Sequence, residues 1–281
     1  MPEYIGIDIG GTSMVAARFD ENKILDRTEV STGADRPSDA IMEHLFGAIE
    51  KVLTPEVVGR GIGTPGYIEP QSGELRLIFN IPSLMGFSVK QAVGERFGLP
   101  ACQSNDANCF ALGEAWYGAG KPYTNLVGVT LGTGLGGGII INRKIHTGLA
   151  GGAGELGCFD FKGGIVENTC SAALFANKYK KSGKELYNAA KQGDKEGLTA
   201  LEELGSNIGE MLRTVMYILA PEAFIIGGSV AGAWEFLEPA IRKEVDKFPV
   251  DLISSKTKLV KAELDNAGLY GAAALCISQM D

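Results

Sequence analysis

Three features of the 281-residue chain predict an α/β fold in two lobes. A glycine turn at Gly10-Gly11-Thr12 lies between two β-prone runs, a second at Gly132 to Gly138 lies between two more, and helical periodicity follows each set. The second half of the chain thus echoes the first. The length is enough for two domains of ordinary size, each with its own core.

In the first half, Tyr4 to Ile9, Met14 to Phe19 and Lys23 to Val30 read as short antiparallel strands separated by tight turns. Ser38 offers an N-cap to a helix whose apolar positions Ile41, Leu45, Ile49, Val52 and Leu53 recur at helical spacing until Pro55. Val57 to Ile62 returns as a strand, Val89 to Phe97 is helical, and Ala101 to Ser104 is a strand leading into Asn105-Asp106 and a helix to about Tyr117. The order then restarts: Leu126 to Leu131 and Gly138 to Ile141 flank the second glycine turn, and Lys144 to Thr147 is a further strand.

Helices are expected at Ala172 to Lys181 and at Lys195 to Ala220. The second of these carries Leu198, Leu201, Leu204, Ile208, Met211, Leu212, Val215 and Leu219 on one face, open to either core burial or a dimer contact. Phe224 to Ile226 is a short strand ending in Gly227-Gly228, and a helix from Trp234, a strand near Leu259 and a last helix from about Gly268 complete the chain. The expected boundaries are a small α/β domain over 1–112, completed by the helix at 266–281, and a large α/β domain over 113–265.

Composition excludes several classes. With 45% hydrophobic and 21% charged residues and 39 glycines, the chain reads as globular and rich in turns. A net charge of −8 without a Lys/Arg stripe argues against a nucleic-acid surface. No apolar run approaches the ~20 residues of a membrane helix, and no signal-peptide pattern precedes Tyr4, so a cytoplasmic protein is expected. The five cysteines contain no C-x-x-C pair and are read as reduced thiols.

The two glycine turns suggest a phosphate clamp, because turns without Cβ atoms let backbone N–H groups approach an anion. Gly132-x-Gly134-x-x-Gly137 is formally a dinucleotide fingerprint, but a strand follows it where that motif needs a helix. A Walker A loop is absent. Either turn alone can equally be a hairpin that uses glycine for positive φ, but the pair, with Asp8 ending the strand before the first, favours the clamp. Asp8, at the end of the first strand, is either a turn carboxylate or a group that holds Mg²⁺ through water beside substrate phosphates. Asn105 and Asp106 are natural N-caps; phosphoryl transfer would also need a carboxylate there to accept the proton of an acceptor hydroxyl.

Taken together, Asp8-Ile-Gly-Gly-Thr12, Gly61-Ile-Gly-Thr-Pro-Gly66, Asn80-Ile-Pro, Asn105-Asp106-Ala-Asn108, Leu131 to Gly138, Gly154-Glu155-Leu-Gly157 and Ile226-Gly-Gly-Ser229 resemble the ROK (repressor, ORF, kinase) sugar kinases along nearly the whole chain. The resemblance implies two ribonuclease-H-like lobes of the actin-like ATPase superfamily with a central cleft. It implies an ATP-dependent, glucokinase-like hexose kinase using ATP and Mg²⁺, acting on a small-molecule sugar and assembled as a homodimer. Carried over by motif, Asp106 would be the general base. Asn80, Asn105, Glu155 and Glu167 would bind sugar hydroxyls together with Asp106. Gly10, Gly11, Thr12, Gly132, Thr133 and Gly134 would face the phosphates, Gly227 and Gly228 the adenosine, and Asp8 would hold magnesium through water.

The chain departs from the family at one place. Where relatives carry a zinc-binding His followed by a three-cysteine loop, it has Cys158 and the cysteine-free Phe159 to Val166. Cys158 and Cys170 offer two ligands at most, so no structural zinc is expected and both thiols read as small packed side chains. An N-acetylhexosamine or fructose kinase and a non-catalytic sugar-sensing regulator stay open as alternatives. A DNA-binding repressor is disfavoured, since the first strand begins by Tyr4 and the chain is acidic.

Overall fold

The computed structural model describes residues 2–20 and 23–280. Met1, Glu21, Asn22 and Asp281, which the expected domain boundaries include, lie outside the described residues. In chain order the strands and helices are β1 (Glu3–Ile9), β2 (Ser13–Phe19), β3 (Ile24–Ser31), α1 (Ser38–Val52), β4 (Val57–Thr64), β5 (Tyr67–Ile68), β6 (Leu75–Leu77), α2 (Val89–Phe97), β7 (Ala101–Asn105) and α3 (Asp106–Tyr117). They continue as β8 (Leu126–Leu131), β9 (Leu135–Ile141), β10 (Lys144–Ile145), β11 (Asp160–Phe161), β12 (Gly164–Ile165), α4 (Val166–Cys170), α5 (Ala172–Leu174) and α6 (Gly183–Lys191). The last are α7 (Lys195–Leu219), β13 (Ala223–Gly227), α8 (Trp234–Val245), α9 (Asp251–Ser254), β14 (Lys258–Lys261) and α10 (Ala267–Met280).

Two five-stranded sheets carry the architecture, in the orders β3-β2-β1-β4-β7 and β10-β9-β8-β13-β14. The repeated order is the structural form of the echo in the sequence. In the first sheet β1, β2 and β3 are antiparallel, while β4 and β7 run parallel to β1. In the second, β8, β13 and β14 are parallel. The fold is α/β, built from two ribonuclease-H-like units: Met1–Pro122 with Gly138–Ala153 and Glu263–Asp281, and Tyr123–Gly137 with Gly154–Ala262.

The core of the first unit joins Ile5, Ile7 and Ile9 of β1 to Ile41, Leu45 and Ile49 of α1 and Val89 and Val93 of α2. The opposite face of the sheet is covered by α10, and this contact depends on missing side chains. A Cβ at Gly61 would overlap the Ala272 carbonyl, and one at Gly271 would overlap the Cys109 carbonyl. Backbones packed this closely admit only glycine.

The second unit buries Leu201, Leu204, Ile208, Met211, Leu212 and Val215 of α7 against β8, β13 and α8. Core burial therefore accounts for most of that face, while Leu198 remains 40% exposed. Gly205 and Gly209 let α8 approach, since added Cβ atoms there would press on Leu237 O and Ile241 O at 2.8 and 2.7 Å.

Three local expectations are corrected. Ser38 is the first residue inside α1 rather than its cap: Pro37, at φ −58° and ψ 150°, occupies the N-cap and no side chain satisfies the helix end. The helix expected over Ala172 to Lys181 is α5 followed by one π-helical turn, Phe175–Tyr179, stopped by Lys180 at φ +54°. The strand expected to reach Thr147 ends at Ile145.

Candidate active site

In the first unit the turn between β1 and β2 is closed by Gly10 N–H donating to Ser13 O at 2.9 Å, and Thr32 Oγ1 donates to Gly10 O at 2.6 Å. Thr12 at its tip is exposed. Gly11 lies against Asn80, whose Cβ is 3.2 Å from where a Gly11 Cβ would stand. Asp8, two residues before Gly10, lies near the first turn of α10, with its Oδ2 3.5 Å from a Cβ built at Gly268.

Parallel pairing sets Asp8 of β1 opposite Gly63 of β4, and Thr64 of β4 opposite Asn105 of β7. Asp8 and the Asn105–Asp106 corner therefore lie at the same, carboxyl-terminal edge of the sheet, where ligands of open α/β sheets bind. Asn105 is the N-cap of α3: its Oδ1 accepts the Ala107 N–H at 2.8 Å while its Nδ2 donates to Gly66 O at 3.1 Å. Asp106 Oδ1 shares the Ala107 N–H at 2.9 Å.

The charge on Asp106 bears on Asp8. Desolvation first, and the Asp106 charge second, push Asp8 up to about 6. Asp106 is open to solvent, yet the protein around it desolvates its carboxyl and raises it, opposed by backbone N–H donors of Ala107 and of Asp106 itself. Cys109, fully enclosed beneath them, has its thiol raised by burial and then by both acids.

In the second unit the glycine turn between β8 and β9 is built into a hydrogen-bonded network. Gly132 N–H donates to Gly134 O at 3.0 Å, Ala172 N–H donates to Gly132 O at 3.0 Å, and Ser171 Oγ donates to Thr133 O at 3.0 Å. Glu167, in the first turn of α4, accepts the Leu135 N–H at 3.0 Å through Oε2, and a Cβ at Gly134 would collide with that carboxylate. Its own N–H donates to Gly157 O at 3.0 Å, which ties in the turn bearing Glu155. Cys158 Sγ is 3.8 Å from Glu155 Oε2 and is exposed.

Cys170 differs: it is buried and its thiol is pushed up to about 12 by desolvation. Among the described residues no group of three or more His, Cys, Asp or Glu side chains could hold a metal ion. Asp8 suits Mg²⁺ nonetheless, since that ion takes one or two carboxylates with water and phosphate oxygens, and an acid strained by a neighbouring acid gains from a cation.

Gly228, at φ +86°, rests on Leu131, whose carbonyl an added Cβ would strike. Beside it opens a cavity of about 390 Å³ lined chiefly by Phe175, Tyr187, Leu201 and Val230, with Lys184 and Ser229. Ligand sites are often apolar cavities of this size. Sequence reasoning missed Lys184 and Tyr187 because it missed α6, and it placed Phe175 in a helix without giving it a role. The signal was present in the capping box, in which Ser182 and Glu185 satisfy each other's backbone N–H groups.

The chain thus combines two α/β units, glycine turns at the ends of strands and a pair of acids at one sheet edge. The chain belongs to the ROK family, whose model matches residues 4–279. It is 30% identical over 315 residues to the glucokinase of Halalkalibacterium halodurans, covering 98% of this chain and 95% of that one. It is 30% identical over 313 residues to the N-acetyl-D-glucosamine kinase of Histophilus somni, covering 98% and 99%. The ROK glucokinase of Streptomyces griseus, solved with glucose and AMPPNP, superposes with a TM-score of 0.81 at 30% identity over 98% and 99% of the two chains. Among the described residues no helix is long and apolar enough to cross a membrane.

Proposed function

We propose that the chain is an ATP-dependent hexose kinase that moves the γ-phosphoryl group of ATP to a sugar hydroxyl. The observation that carries this is Asp106: a solvent-open carboxylate at the N-terminus of α3, with its proton affinity raised, beside a second acid at the edge of the sheet. A base whose pKa lies closer to neutral transfers protons more effectively than an ordinary carboxylate. The similarity to a glucokinase solved with glucose and AMPPNP supports the same substrate pair.

In this mechanism Asn80, Asn105, Glu155 and Glu167 orient the sugar, and Asp106 takes the hydroxyl proton as that oxygen bonds to the γ-phosphorus. The bond from phosphorus to the β–γ bridging oxygen breaks and its electron pair leaves with ADP. Gly11, Thr12, Thr133 and Gly134 offer backbone N–H groups to the phosphates, while the N–H groups of Gly10 and Gly132 close the two turns, and Gly227-Gly228 and the adjoining cavity take the nucleoside. Mg²⁺, held by Asp8 through water, would supply charge neutralisation for the phosphate oxygens.

The acceptor is a hexose, with glucose favoured by the glucokinase relatives and an N-acetylhexosamine by the kinase of Histophilus somni. A homodimer in the cytoplasm fits the same family resemblance. The test is ADP release with glucose, mannose, fructose, N-acetylglucosamine and N-acetylmannosamine. Turnover with one of them, lowered ~10²- to 10⁴-fold by Asp106→Asn at unchanged KM for ATP, is expected. A flat response to all five would favour the sugar-sensing regulator instead.

A further inference from the structure

Asn108, two residues beyond Asp106 in the first turn of α3, is 3% exposed. Its Nδ2 donates to Ser104 Oγ at 3.3 Å, and its Oδ1 is buried with no hydrogen-bond partner. The N and O positions of an amide are interchangeable in such a network, but either assignment leaves one polar atom unmet. An unsatisfied buried carbonyl is costly enough that natural structures rarely keep one. Against Asn108 lies a partly open cavity of about 30 Å³, lined by Gln103, Ser104, Asn105 and Thr147 with Ile68, Pro70 and Gly151 at its sides.

Size and lining select the occupant. A space of this size meets the ~10–15 Å³ that a water requires, while a sugar or nucleoside pocket is about tenfold larger or more. An apolar void would stay dry; here several polar side chains converge on one small volume. Asn105 needs such support, because its side chain already serves the Ala107 N–H and Gly66 O and cannot also brace the corner from below.

We propose that this cavity binds one water molecule, hydrogen-bonded to Asn108 Oδ1, and that through it Asn108 is a positioning residue for the Asn105–Asp106 corner. The water links the first turn of α3 to the wall that carries Thr147, so the corner keeps its place when the sugar is exchanged. The positioning role rests on Asp106 acting as base; the water site does not.

The tests are a high-resolution crystal structure of the sugar-free protein and steady-state kinetics of two variants. Density for a water within hydrogen-bond distance of Asn108 supports the proposal. Asn108→Leu, which fills the cavity and removes the acceptor, is expected to lower kcat about 10- to 100-fold with KM for ATP unchanged, the scale of a small misplacement of a reacting group. Asn108→Ser, which keeps a hydroxyl facing the water, is expected to restore most of kcat. A cavity without density, or one filled only by a hydroxyl of bound sugar, overturns the water site. Wild-type kcat in Asn108→Leu, or an equal loss in both variants, overturns the positioning role. A wild-type protein that phosphorylates no sugar would overturn the hexose-kinase assignment instead, and diffraction would still decide the water.

Discussion

Asp8 and Asp106 repel one another across the edge of the first sheet, and the charge on Asp106 adds to desolvation in lifting Asp8 to about 6. The folded state thus binds a proton at Asp8 that the unfolded chain releases near 3.8. Stability from this group is complete below 3.8 and is lost as pH rises through about 6, where the deficit reaches roughly 3 kcal/mol. In metal-free buffer the melting temperature should fall over that interval, and Asp8→Asn should flatten the fall. Adding Mg²⁺ and nucleotide should recover stability above pH 6 in the wild type only. An identical pH profile for Asp8→Asn would refute the assignment.

Glu167 makes a structural contact that is hidden from the sequence. Its carboxylate is bonded to the Leu135 N–H and so braces the second glycine turn. Glu167→Ala should raise KM for ATP about tenfold, the worth of one charge-assisted hydrogen bond, while Glu167→Gln retains an acceptor and should disturb ATP much less. If Glu167→Ala altered only the KM for sugar, the turn would stand without it.

Glu114 is fully buried and accepts three backbone N–H groups, from Ala119 at 2.9 Å, Leu264 at 2.8 Å and Glu263 at 3.2 Å. It fastens two segments ~150 residues apart in the first unit. Removing it by Glu114→Ala should cost about 3 kcal/mol or more in urea unfolding, since three donors lose their acceptor together. A loss below about 1 kcal/mol would show that water replaces the carboxylate.

Cys158 is the exposed member of five cysteines whose other four are buried. Iodoacetamide should therefore alkylate the native protein once, at this thiol, with loss of iodide. Because the thiol stands 3.8 Å from Glu155, alkylation should weaken sugar binding, and saturating sugar should slow it. Mass spectrometry resolves the modified peptide, and alkylation at equal speed with and without sugar would place Cys158 outside the substrate site.

Much of this architecture is legible from pattern alone. Alternation and tight turns located β1, β2 and β3 to within a residue or so, and 3.6-residue periodicity located α7 with the same accuracy. Asn105 was foreseen as a cap and is one. Legibility failed where local signals competed. Ser38 is a good cap by type, but the fixed φ of Pro37 set the boundary one residue earlier. Nothing local marks the π turn after Leu174, because its apolar residues continue the helical pattern. The bond from Glu167 to Leu135 spans 32 positions and leaves no periodic trace. Asn108 reads as an ordinary first-turn polar residue until its surroundings are seen.

The glycine contacts of α10 bear on how the protein is made. β1, β2 and β4 are made well before α10, yet the face they present is covered by that later helix, pressed onto Gly61 of β4 and Gly113 of α3. The stretch Gly154–Ala262 lies within the other unit and can close on itself earlier in synthesis. The first sheet therefore waits, its apolar surface uncovered, until α10 is made; a chain interrupted before Ala267 would leave the first unit without that wall and the stretch Gly154–Ala262 able to fold.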